Sequence, residues 1–167
     1  MSDAHSVYDL ARCVVVEQDA ALAMLKAHPD LVNTKTSIGE TALHYLVVEN
    51  HLDGVKFLIQ QGADLNSQND FGDTPLMDAA RLNYVGMCRF LIRHGARVDR
   101  KNTESETALH RAAAAGATVI VGLLLEAGAD VHVRDSLGES LLDAAPTDKR
   151  AEVISMLAKH GYNEARI

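Results

Sequence analysis

The chain is 167 residues long and carries 16 Lys and Arg against 23 Asp and Glu, a net charge of −7. That length suits a single domain, and an apolar share of 47% excludes disorder by composition. The acidic balance argues against nucleic acid as the main partner, because phosphate recognition needs a basic surface.

The first residues, Met1-Ser2-Asp3-Ala4-His5, place no Lys or Arg ahead of an apolar run, so they do not read as a secretory signal. The early apolar run Cys13-Val14-Val15-Val16 is ended by Glu17. No run approaches the ~18–20 residues that cross a bilayer, so no membrane partner is expected. The two cysteines, Cys13 and Cys88, are too few for a disulfide framework. A reducing, cytoplasmic setting is therefore expected. Aromatic residues make up 4% and tryptophan is absent, so the core must rest on Leu, Val, Ile and Ala.

Shifted by 33 residues, the sequence matches itself. Gly39-Glu40-Thr41-Ala42-Leu43-His44 returns as Gly72-Asp73-Thr74-Pro75-Leu76-Met77, as Ser105-Glu106-Thr107-Ala108-Leu109-His110, and as Gly138-Glu139-Ser140-Leu141-Leu142-Asp143. Gly62-Ala63-Asp64 returns as Gly95-Ala96-Arg97, Gly128-Ala129-Asp130 and Gly161-Tyr162-Asn163. A degenerate first unit keeps register, with Leu10 in the place of Leu43, Met24-Leu25 in that of Phe57-Leu58, and Pro29 in that of Gly62. The units run approximately 3–35, 36–68, 69–101, 102–134 and 135–167, a single domain over 1–167.

Each unit reads as two helices. Thr41, Thr74, Thr107 and Ser140 stand where a hydroxyl caps a first turn, and Pro75 falls at a first helical position. The first helices are predicted at Ala42 to Val48, Pro75 to Leu82 and Ala108 to Ala115. Asn50, Asn83 and Gly116 follow them as residues that tolerate the left-handed conformation. The second helices are predicted at Leu52 to Gln61, Val85 to His94 and Thr118 to Ala127, with Gly62, Gly95, Gly128 and Gly161 as their stops. Pro146 should shorten the first helix of the last unit.

This pattern resembles the ankyrin repeat over almost the full chain. The resemblance implies an all-α solenoid of helix-turn-helix units joined by hairpin-like turns. Several positions depart from the family pattern: Ser105 replaces a turn glycine, Met77 and Asp143 replace histidines, and Arg97 replaces an aspartate.

No catalytic chemistry emerges. The eight histidines include no i, i+4 pair, and Cys-x-x-Cys is absent, so no metal site and no cofactor is expected. His44 and His110 belong to Thr-Ala-Leu-His segments, and in the family such histidines hydrogen-bond within and between turns. Cys13 and Cys88 map to core-facing positions two units apart. Stacking steps of about 10 Å put them beyond the disulfide limit of about 7 Å. Phosphate loops and nucleophile elbows are absent, and the glycine spacing is explained by the repeat. The chain is therefore expected not to be an enzyme.

The resemblance implies protein binding through turn tips and the exposed side of the first helices, which line a concave face. The candidate positions are Ile38, Glu40, Val48 and Glu49 in the second unit, and Asp70, Phe71, Asp73, Arg81 and Leu82 in the third. Ile38, Phe71 and Leu137 share one turn-tip position; packing between adjacent turns is the competing role for the first two. Residues 36–80 hold seven acids and one base, whereas 81–111 hold seven bases and three acids. A protein partner with a basic and apolar surface fits that distribution. Arg89, Arg93 and Arg97 fall on the opposite side of a second helix, as a solvated face. The expected role is an adaptor or inhibitor, monomeric when unbound. An immunity- or antitoxin-like protein that neutralises a toxin enzyme is an alternative drawn from the resemblance, and a self-associating structural protein is another.

Overall fold

A computed structural model describes residues 6–162. The outer edges of the first and last predicted units, including Asn163, lie outside the described residues. Among the described residues the secondary structure is helical, with one isolated antiparallel bridge between Arg134 and Ser140.

The helices come in consecutive pairs. They are α1 (Val7–Val16) with α2 (Gln18–Ala27), α3 (Ala42–Val48) with α4 (Leu52–Gln60), α5 (Pro75–Arg81) with α6 (Val85–Arg93), α7 (Ala108–Ala114) with α8 (Thr118–Glu126), and α9 (Leu141–Ala144) with α10 (Arg150–Lys159). The predicted ends of α4 to α8 each lie one residue beyond the observed ones. Pro146 has the expected effect, since α9 is only four residues long.

Two compact units divide the chain at residue 75. In the first, α1 packs on α3, and each lies against its own second helix. Leu10, Ala11, Val14, Leu43, Leu46, Val47, Val55 and Leu58 are excluded from solvent there. In the second unit α7 packs on α9, and α8 packs on both α6 and α10, around Leu109, Ile120, Val121, Leu124, Leu141, Val153 and Leu157. In the first unit α1 thus meets both α3 and α4, while in the second first helices meet first and second meet second, so each pair buries its apolar face against its neighbours.

Reciprocal caps fix where first helices begin. Capping boxes close at Thr41 with His44, Thr107 with His110, and Ser140 with Asp143. Asp143 therefore does the work of the histidine it replaces. Ser6 and Asp9 close a fourth box, which starts α1 at Val7. The 33-residue register would have put that cap at Tyr8, which has no oxygen near its backbone. The first pair also ends differently. Pro29 cannot take the left-handed conformation of Gly62, and a 3-10 turn, Pro29–Asn33, closes the unit instead.

The turns repeat as faithfully as the helices. Backbone bonds join Thr36 to Glu40, Asn69 to Asp73, Asn102 to Glu106 and Asp135 to Glu139, at 2.8–3.1 Å. The Oδ1 of Asn69, Asn102 and Asp135 accepts two further amides in its own turn, at 2.8–3.0 Å. Turn tips are also tied to each other within each unit: Asp70 N–H donates to Ile38 O at 3.1 Å, and Ser136 N–H to Glu104 O at 2.7 Å.

Gly39, Gly72, Ser105 and Gly138 share one tip position, and all four hold left-handed backbone. Gly39 has φ +76°, and a Cβ there would strike Asp70. Ser105 holds φ +61° at the equivalent tip despite its side chain. Ser105→Gly should raise stability by about 0.5 kcal/mol, because relief of left-handed strain exceeds the added chain entropy. Gly39→Ala should cost roughly 2–3 kcal/mol. Urea unfolding of the three proteins checks both; a destabilised Ser105→Gly would contradict the strain assignment.

Candidate partner-binding surface

The candidate positions in the first unit fall on two elements. Ile38 and Phe71 project from successive turn tips, 44% and 62% exposed. The bond from Asp70 N–H to Ile38 O fixes the two tips to each other. Val48 ends α3 half-buried, and Glu49 follows it in solvent. Glu40 is half-buried and Asp70 exposed. Asp73 departs from the expected acidic rim: it is buried, its N–H bonded to Asn69 and its carbonyl to His44. Its place is in the frame of the turn.

In the second unit Arg81 is exposed and pairs with Asp78 at 3.2 Å, whereas Leu82 is half-buried. Leu137 has the largest exposure of the tip residues, at 81%. Gln68 and Arg134 share a repeat position, and both bond back onto their own turns: Gln68 Nε2 donates to Gly72 O at 2.6 Å, and Arg134 Nη1 to Gly138 O at 2.7 Å.

Charge is divided sharply. Residues 1–75 hold eleven carboxylates and four Lys or Arg, a net of −7, while residues 76–167 hold twelve of each. Glu40, Glu49 and Asp70 have no cation paired with them among the described residues. Asp53, on the second helix α4, is instead paired with Lys56 at 2.8 Å, which holds its carboxyl below the usual range. Glu40 and Asp70 thus leave two unpaired carboxylates on the elements that carry the tips.

Beneath this surface lies a polar frame. Thr41 N–H donates to His44 Nδ1 at 3.2 Å, so Nδ1 is the acceptor and Nε2 carries the proton. That Nε2–H donates to Asp73 O at 3.2 Å. His110 repeats the cap, with Thr107 N–H at 3.1 Å from its Nδ1, but its Nε2 has no partner among the described residues. Burial lowers the pKa of both histidines.

Other histidines also have structural work. His51 Nδ1 accepts from Gly54 N–H at 3.0 Å and caps α4. His94 and His160 donate from Nδ1 to the carbonyls of Phe90 and Met156, at 2.8 and 3.0 Å. Among the described residues no group of three His, Cys, Asp or Glu side chains is placed to hold a metal. Cys88 is buried, with its thiol pushed up to about 12 by desolvation. Cys13 is half-buried, so its predicted core position holds only in part.

The residue pattern did not single out Tyr8 and Tyr45. Both are exposed, and their rings meet edge to face with centroids 5.9 Å apart. Helical spacing was the available signal: Tyr45, Val48 and Glu49 fall at i, i+3 and i+4 on the solvent side of α3.

Capped helix pairs and tied turn tips define a helical repeat protein. A family model described as ankyrin repeats (3 copies) matches residues 11–102 and 50–135. The chain belongs to the ankyrin repeat family. Ankyrin repeats are generally protein–protein interaction modules, and the family is typically non-enzymatic. No curated protein matches this chain. Among the described residues no helix is long and apolar enough to cross a membrane.

The lowered histidine pKa values have a consequence for stability. The folded chain favours neutral imidazole, whereas the unfolded chain takes up protons near 6.5. Their stabilising contribution is therefore complete above that value and is lost as pH falls through the lowered folded values. The urea midpoint should drop between about pH 7.5 and about pH 5.5. His44→Gln/His110→Gln should start lower and show a flatter pH dependence. An unchanged slope in that variant would contradict the assignment.

Proposed function

We propose that the chain is a non-enzymatic binding module that takes a protein partner on its turn tips and on the exposed side of its first helices. We read it as one domain of five repeats, a monomer when unbound and cytoplasmic, that acts as an adaptor or inhibitor. The 33-residue spacing runs through residue 75 without an insertion, which supports one continuous repeat array.

One observation carries the reading. Phe71 is 62% exposed on a tip held by backbone bonds, beside Ile38 and near uncompensated carboxylates. An exposed aromatic on a rigid frame loses little entropy when it is covered, and aromatics ringed by polar groups are common hot spots. Glu40, Glu49 and Asp70 favour a partner that carries basic groups beside apolar ones. In the second unit Arg81 and Leu82 occupy the positions of Val48 and Glu49 one repeat later, and are proposed as binding residues on the same repeat logic. A basic toxin enzyme masked by an immunity-like protein is one form that such a pairing would take.

Phe71→Arg tests the reading. Partners are captured from native lysate with wild type and variant, after both show the same helicity and melting. A protein held by wild type and lost by the variant, by at least tenfold (about 1.4 kcal/mol), is the expected result. Equal capture by both would move the interface away from the tips.

A further inference from the structure

The first helices of the first unit carry a second apolar feature, separate from the tips. Tyr8 on α1 and Tyr45 on α3 are 50% and 37% exposed, and their rings meet at 82° with centroids 5.9 Å apart. Val15 follows Tyr8 at i+7 and is 46% exposed. Val48 lies one turn after Tyr45 and is half-buried. Most exposed apolar side chains stand singly and need no explanation, but here two aromatic rings from neighbouring helices form a ledge.

Two features of charge say what would cover it. Glu49 lies four residues after Tyr45 on the same helix face, exposed and without a cation among the described residues. Arg12, four residues after Tyr8, leans on Asp9 at 3.5 Å, which balances its charge locally. The ledge therefore joins electron-rich ring surface to one uncompensated carboxylate, inside a unit of net charge −7. Guanidinium suits that combination better than ammonium. Its plane lies flat on an aromatic face while its N–H groups reach a carboxylate.

We infer that the Tyr8–Tyr45 ledge, with Glu49, is a subsite for an arginine side chain of a protein partner, set beside an apolar neighbour that covers Val15 and Val48. This rests on the binding-module reading and names the chemistry of its partner.

The probe is N-acetyl-Leu-Arg-amide, titrated into the full chain with its tyrosine rings labelled for NMR. The protein has four tyrosines, so Tyr84 and Tyr162 serve as internal controls. Saturable shifts should appear at Tyr8 and Tyr45 and leave the two controls unmoved. Replacing arginine by neutral citrulline should weaken binding about fivefold or more. Glu49→Gln should reduce it by a similar factor, and Tyr45→Leu should abolish it.

Equal binding of the citrulline peptide, or equal shifts at all four tyrosines, would overturn the inference. Shifts at Tyr8 and Tyr45 that depend on protein concentration alone would overturn it too, in favour of a second copy on the ledge. A failed titration with Phe71-dependent capture intact would sink the ledge alone. A successful titration with Phe71-independent capture would sink the tip reading alone.

Discussion

The reciprocal cap at the start of a first helix is the constraint on which the rest of the structure depends. A helix leaves its first N–H groups without partners, and a seven-residue helix is too short to stand on propensity. Thr41 with His44, Thr107 with His110, Ser140 with Asp143 and Ser6 with Asp9 each answer that need reciprocally: the cap hydroxyl accepts from the N–H three residues on, and the side chain there accepts from the cap's own N–H. His44 adds a second connection, because its other ring nitrogen reaches the carbonyl of Asp73 in the next turn. One buried imidazole thus fixes a helix start and a turn together.

From that frame the binding surface follows. With the helix starts and turns fixed, Ile38 and Phe71 have no choice but to point outward from tips that are bonded to each other. Side chains that hold the frame are engaged by it: Asp73 is buried, and Gln68 and Arg134 bond back onto turn carbonyls. Ile38, Phe71, Asp70 and Glu49 remain exposed on backbone held by these bonds. Such a surface is suited to recognition with little reorganisation.

Much of this was legible from the residues. The 33-residue spacing located the caps, the left-handed stops at Asn50 and Asn83, and the shortening by Pro146. The interval put Ile38 and Phe71 at one turn-tip position, the resemblance implied exposure there, and both are exposed. Legibility failed where different residues perform the same task. Ser6 and Asp9 cap α1 two residues ahead of the register, and Pro29 replaces a left-handed stop with a 3-10 turn. Asp73 reads as a surface acid because a charged side chain usually seeks water, yet the turn geometry encloses it. Tyr8 and Tyr45 escaped notice because their meeting joins residues 37 apart, a spacing that no repeat template marks.

The most direct measurement is the nitrogen-resolved NMR of the His44 imidazole across neutral to mildly acidic pH. The account expects the tautomer protonated at Nε2, with Nδ1 an acceptor, a slowly exchanging Nε2–H, and titration below the ordinary histidine range. A proton on Nδ1, or titration at the value of a solvent-exposed imidazole, would contradict the shared cap and with it the frame that holds the tips.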